Sequence, residues 1–212
     1  RRQRQMCIRD RSLTDFERAV RQGVSPDGTH YFPVFPYTAY QHMRDQDIVD
    51  LWAYWQSLPT TDTKNIAHDL PLMLGVRRNL GLWKRMFMAR NWAIMGDLNP
   101  IEQKGRYLVE ALGHCGECHT PRNALGGLKH AKWLAGAKNP AGTGRIPNIT
   151  PASLDWSTEE ISEYLLSGFT PEFDMVGGHM ALVVENLAQL TPEDRNAIAQ
   201  YLKIVPAVKV PR

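Results

Sequence analysis

The pentapeptide Cys115-Gly116-Glu117-Cys118-His119 constrains this chain more than any other stretch. Two cysteines three apart, with a histidine directly after the second, form the attachment signature of a c-type haem. The spacing has a physical origin. Each thiol adds to one vinyl group on the same edge of the porphyrin, so the two sulfurs must lie about one helical turn apart. His119 follows and swings its imidazole under the iron as proximal ligand. The other readings of such a motif are poorer. A structural zinc site needs four ligands, and the remaining cysteine, Cys7, stands far away in an unusual segment. A redox dithiol needs no histidine and sits in an alternating strand–helix pattern that this sequence lacks.

Charge excludes one class of function. The 212 residues carry a formal net charge of +3, but Arg1, Arg2, Arg4, Arg9 and Arg11 against Asp10 give +4 within residues 1–11, leaving −1 for the rest. The basicity is an end effect, and nucleic acid is not an expected partner. Residues 1–11 show no apolar periodicity and no turn chemistry. They read as foreign to the fold, with a disordered basic tail as the alternative. No run is apolar and long enough to span a membrane. Haem c is attached outside the cytoplasm, so a periplasmic location or the outer face of the inner membrane is expected. An export signal is not visible, which suggests a processed or incomplete chain.

An internal repeat organises the remainder. Gly168-Phe-Thr-Pro-Glu matches Gly23-Val-Ser-Pro-Asp, with Ile161 and Leu165 opposite Phe16 and Val20 on the helices that lead to each glycine. Further on, Leu190-Thr-Pro-Glu-Asp through Pro206 matches Met43-Arg-Asp-Gln-Asp through Pro59. Residues 12–60 are therefore expected to be the C-terminal part of a first domain that lacks its own CxxCH, cut off or lost. Residues 100–206 form a complete second domain and 207–212 a tail. Residues 61–99 read as a connector. Within it, residues 70–95 mix large apolar residues with Arg77, Arg78, Lys84, Arg85 and Arg90, a basic amphipathic pattern suited to a membrane surface or to packing between domains.

The periodicities predict only helices. They fall near Thr14–Gln22 and over Asp45–Ser57 in the first domain. In the second, one runs from Pro100 to about Leu112 behind an Asn99 cap, one starts at Ser157 with Glu160 in the capping-box position, and one runs from Pro192 to about Ile204. The rest is long loops, as in a chain that wraps a flat apolar cofactor. The sixth iron ligand should come from the loop expected over Phe173–Leu182, which holds Met175, His179 and Met180. Met180 is the expected ligand, because a thioether is a soft neutral donor that suits ferrous iron and raises the potential. His114 and His130 have no ligand spacing.

The segments CGECHTPRN, RIPNIT, DWSTEEI, GFTPEFD, GGHM and LTPEDRNAIAQYL resemble the tail domain of diheme, class I-like cytochromes c, the cytochrome subunits that partner periplasmic or membrane-bound dehydrogenases. YFPVFPYTAY resembles the distal-ligand loop of the first haem domain in that group. The resemblance covers residues 12 to about 206. It implies an all-α fold: a class I cytochrome c-like helical domain around a covalent haem, preceded by a partial second copy. It implies that Pro147 offers its carbonyl to Nδ1–H of His119, and that Arg122 and Trp156 lie near the propionates. It implies one haem c in this chain and a second in an intact diheme protein. Where many relatives carry methionine in the first distal loop, this chain has Phe35, which cannot ligate iron; His42, Met43 or an open face would then serve. The expected function is outer-sphere electron transfer from a dehydrogenase or another cytochrome, with no catalytic constellation of its own. The alternative is a haem enzyme or ligand binder with an open iron site.

Overall fold

The computed structural model describes residues 11–59, 77–140 and 142–209. The chain divides into two compact units, one up to Arg90 and one from Asn91 onward. The sequence expectations for residues 1–10, for 60–76 and for 210–212 fall outside the described residues.

In the first unit, Ser12 caps α1 (Leu13–Gln22) by accepting from the Asp15 N–H, and Phe16, Ala19 and Val20 turn inward. Gly23 ends the helix at φ 61°. A side chain there would fall 2.2 Å from the Tyr37 ring, so the wholly buried Tyr37 rests on bare backbone. Tyr37 opens α2 (Tyr37–Tyr40), and α3 (Asp45–Ser57) brings Trp52 to 5.1 Å from the Phe16 ring. Of the described part of the basic amphipathic stretch, Arg78–Phe87 forms α4. Its Lys84 points inward: Nζ donates to the carbonyls of Gln22 (2.6 Å) and Gly23 (2.7 Å) and lies 4.4 Å from the Tyr37 ring centroid. Lys84 thus satisfies the Gln22 carbonyl that the end of α1 leaves open and shares the Gly23 carbonyl with the Tyr31 N–H (2.7 Å).

In the second unit, Asn99 and Glu102 make a reciprocal capping box on α5 (Pro100–Arg106). The helix expected to run unbroken to Leu112 changes instead to a π-helical stretch over Tyr107–Leu112. Next come the single turn α6 (Gly116–His119), a 3₁₀ turn at His130–Lys132, and the two-residue antiparallel strands β1 (Ala137–Lys138) and β2 (Arg145–Ile146). Then follow α7 (Thr158–Ser167), capped by Ser157 with Glu160, α8 (His179–Leu187) and α9 (Pro192–Ile204), capped by Thr191. α5 meets α9 at Gly105, where a Cβ would stand 2.0 Å from the Ala197 carbonyl oxygen. Val109, Leu134, Ile161, Leu165, Ile198 and Tyr201 fill the core between these elements. Among the described residues the architecture is all-α apart from the two-residue strands, and no helix is long and apolar enough to cross a membrane.

One boundary differs from the sequence reading. Residues Phe173–Leu182 were expected as loop throughout, yet α8 starts at His179. The paired glycines Gly177 and Gly178, the latter at φ 59°, stop the preceding segment, and the run from Met180 to Val184 has an apolar helical face to bury.

The same loop recurs three times. In each, a residue donates to a carbonyl three positions back and the loop ends pair: Gly28 N to Ser25 O (3.0 Å), Gly126 N to Asn123 O (3.0 Å) and Phe173 N to Thr170 O (2.9 Å). The flanking bridges are Val24–His30, Arg122–Leu128 and Phe169–Met175. The residue at the bend is left-handed each time, at φ 81°, 80° and 64°. The first and third hairpins also share their surroundings. Ser12 and Ser157 cap the helices before them, and Gly23 and Gly168 end those helices with left-handed caps, all at one constant spacing in sequence.

Candidate haem-attachment site

The π-helical end of α5 sets up the motif. Gly113 N donates back to Leu108 O (2.7 Å) and Cys115 N to Val109 O (3.0 Å), so the widened turn unwinds directly into the first cysteine. His114 makes the junction at φ 40°. Cys115 then precedes α6, and His119 N returns to Cys115 O (2.9 Å), which places both sulfurs and the imidazole on one turn. Gly116 is required sterically. A Cβ there would fall 2.0 Å from the Trp133 ring, which also stacks on His130 with ring centroids 5.9 Å apart.

Neither thiol has the character of a redox dithiol. Both cysteines are free; burial pushes the Cys115 thiol up to about 11, and burial followed by the Glu117 carboxylate pushes Cys118 up as well. A reactive dithiol or thiolate ligand shows the opposite shift.

His119 is nearly buried, at 8% exposure, and its Nδ1 lies 2.9 Å from the carbonyl oxygen of Pro147. With Nδ1–H donating there, Nε2 carries the lone pair. Burial pulls the imidazole pKa below its ordinary value, against the weaker effect of the Pro147 carbonyl, so the ring is neutral and can act as a metal donor. The carbonyl itself is held in place by its neighbours. Asn148 donates from Nδ2 to Val208 O (2.8 Å) and accepts from both the backbone and hydroxyl of the fully buried Thr150. On the other side, Gly136 N donates to His119 O (2.7 Å) and Leu134 N to Thr120 Oγ1 (3.0 Å).

The other expected residues have clear positions. Met180 occupies the first turn of α8 and packs, partly buried, against the core. The Trp156 ring lies 5.3 Å from that of Tyr164, and its carbonyl accepts from Lys203 Nζ (2.9 Å). Arg122 pairs with the Glu117 carboxylate and donates to Gly126 O (2.8 Å), tying the attachment turn to the second hairpin. The structure thus brings Pro147 to His119 and Arg122 into the motif, while Trp156 joins Tyr164. Phe35 lies between Tyr31 and Tyr40 in edge-on contacts, and Met43 is buried in the first unit's core.

Sequence reasoning missed one network. Glu110, buried on the π-helical stretch, accepts from Ala93 N (2.6 Å), Ile94 N (3.2 Å) and the Tyr201 hydroxyl (2.5 Å). Burial is the largest influence on Glu110 and raises its pKa against those three donors. The only signal in the sequence was a carboxylate on what reads as the apolar face of a helix.

The residues fit a covalent haem: a neutral, oriented imidazole, two free thiols one turn apart, and a thioether on a helix packed against the same core. Comparison with known proteins agrees. The chain is 54% identical over 198 residues to a diheme cytochrome c-type protein of Cereibacter sphaeroides, covering 93% of this chain and 67% of that one. It is 36% identical to the fructose dehydrogenase cytochrome subunit of Gluconobacter japonicus and 32% identical to the gluconate 2-dehydrogenase cytochrome c subunit of Pantoea cypripedii. It spans 41% and 48% of those two proteins, less than half of each. No protein-family model matches the chain.

Proposed function

The chain belongs to the diheme c-type cytochromes, and from that premise we propose that its second unit carries one haem c between His119 and Met180 and passes electrons from a dehydrogenase toward a respiratory chain. The observation that carries this reading is the His119 Nδ1–Pro147 O contact of 2.9 Å beside the CxxC turn. When bound, the haem supplies the one-electron couple. The protein's residues do the rest. Cys115 and Cys118 fix the macrocycle through thioethers. Pro147 holds the His119 ring and strengthens Nε2 as a donor. Met180, a soft neutral ligand, favours the ferrous state and raises the potential. Val183, exposed about one turn on from Met180 on the same helix, offers apolar cover of the kind a porphyrin face takes.

Residues 12–60 are read as the distal part of a second copy of this fold. Support comes from the matched caps, left-handed glycines and hairpins, and from Phe35 standing where the repeat puts Met180. A dehydrogenase subunit is the proposed electron donor because relatives are named as cytochrome subunits of fructose, gluconate and alcohol dehydrogenases. Haem c attachment puts the working protein outside the cytoplasm. The test is Met180→Ala in the holoprotein. Ligation by Met180 predicts a lower reduction potential and carbon monoxide binding to the reduced form; an unchanged potential with no such binding would place the sixth ligand elsewhere.

A further inference from the structure

We infer that the hairpin Phe169–Met175 is the docking surface of the second unit for a redox protein whose electron-transfer face is rimmed by lysine and arginine. The inference rests on the electron-carrier reading and adds to it the face and the sign of the contact.

Three hairpins in this chain share one hydrogen-bond pattern and one left-handed bend. Two place glycine at the bend, Gly28 and Gly126, as that backbone demands. The third places Phe173 there, at φ 64°. A side chain in this conformation crowds the following carbonyl, and such strain persists only where something offsets it. Packing within the chain does not, because Phe173 is 86% exposed, and its hairpin neighbours Phe169 and Met175 are 46% and 74% exposed. The result is a projecting apolar tip on a short, hydrogen-bonded loop. A rigid aromatic anchor inside a polar rim is the usual composition of an interface hot spot.

The rim names the partner's charge. Glu172 and Asp174 flank Phe173, and Glu163 on α7 and Glu185 on α8 are exposed. Residues 155–194 hold nine carboxylates and no lysine or arginine, whereas residues 120–154 hold Arg122, Lys129, Lys132, Lys138 and Arg145 and no carboxylate. The exposed carboxylates of Glu163, Glu172, Asp174 and Glu185 select a cationic face for the segment that also carries Met180.

Voltammetry of the holoprotein tests this on gold coated with mixed ammonium- and methyl-terminated thiols, a stand-in for a cation-rimmed apolar face. The expected result is an adsorbed, salt-sensitive haem signal at least tenfold larger than on a carboxylate–methyl layer. Phe173→Gly should raise the melting temperature yet cut electroactive coverage several-fold; Glu172→Lys should cut it at low salt only. Equal coverage on the two layers, or variants that adsorb like the parent, would overturn the inference. So would a head-to-tail dimer in sedimentation that Glu172→Lys and Phe173→Gly abolish, since the hairpin would then serve a second copy of the chain. A chain without covalent haem would show it in the solution spectrum beforehand, and that failure would belong to the carrier reading.

Discussion

Gly105 shows how one residue fixes the site from a distance. The Ala197 carbonyl oxygen would stand 2.0 Å and the Tyr201 Cβ 2.7 Å from a side chain at this position, so any substituent forces α5 away from α9. α5 leads into the attachment motif, and α9 supplies Tyr201 to Glu110. Gly105→Ala should therefore destabilise by about 3 kcal/mol, the upper range for overpacking against backbone, read as a lower urea midpoint. A midpoint within error of the parent would mean that the two helices separate freely. Gly116 is constrained in the same way by Trp133. Both were invisible in the sequence, where a glycine inside a helix reads only as a weak former. The motif residues are proposed from the sequence alone, because covalent attachment dictates their spacing. The side chains that hold Pro147 in place, Asn148 and Thr150, were not legible there, because RIPNIT has no periodicity that reveals a hydrogen-bonded knot.

At the scale of the element, α4 makes the clearest case. Its basic amphipathic sequence suited a membrane surface or packing between domains; Lys84 is buried and serves the end of α1. Charge patterning cannot distinguish a cation that faces water from one that faces the carbonyls at a helix end. Burial pulls the Lys84 pKa down from 10.5 to about 8. The unfolded chain then binds this proton more tightly than the folded one between about pH 8 and 10.5, so Lys84's contribution makes stability rise with pH across that window. Lys84→Met should abolish this rise. It should also cost about 1–3 kcal/mol at pH 7 by leaving the part-buried Gln22 carbonyl without the donor it has in the parent. Thermal melts at pH 7 and pH 9.5 check both; an identical pH slope in the variant would contradict the assignment. The helices that open with a side-chain cap, α1, α5, α7 and α9, were legible to within a residue or two at their N-termini. α8 was not, because its start depends on Gly178 and carries no capping side chain. Nor was the π-helical stretch, which is fixed by Glu110 reaching Ala93, Ile94 and Tyr201, contacts far apart in sequence.

On the scale of the whole molecule, the two units have matching hairpins but different chemistry at the repeat position of the iron ligand. The second has Met180; the first has Phe35 enclosed by Tyr31 and Tyr40. The second unit also has the only CxxCH in the chain. One haem and one iron environment are therefore predicted for this chain. The most direct measurement is the absorption spectrum of exported protein, oxidised and reduced, with a pyridine haemochrome count against chain concentration. The account predicts one covalent haem per chain and, in the oxidised form, the methionine–iron charge-transfer band near ~695 nm that reports a His/Met axial pair. No covalent haem, or a covalent haem without that band, would contradict it.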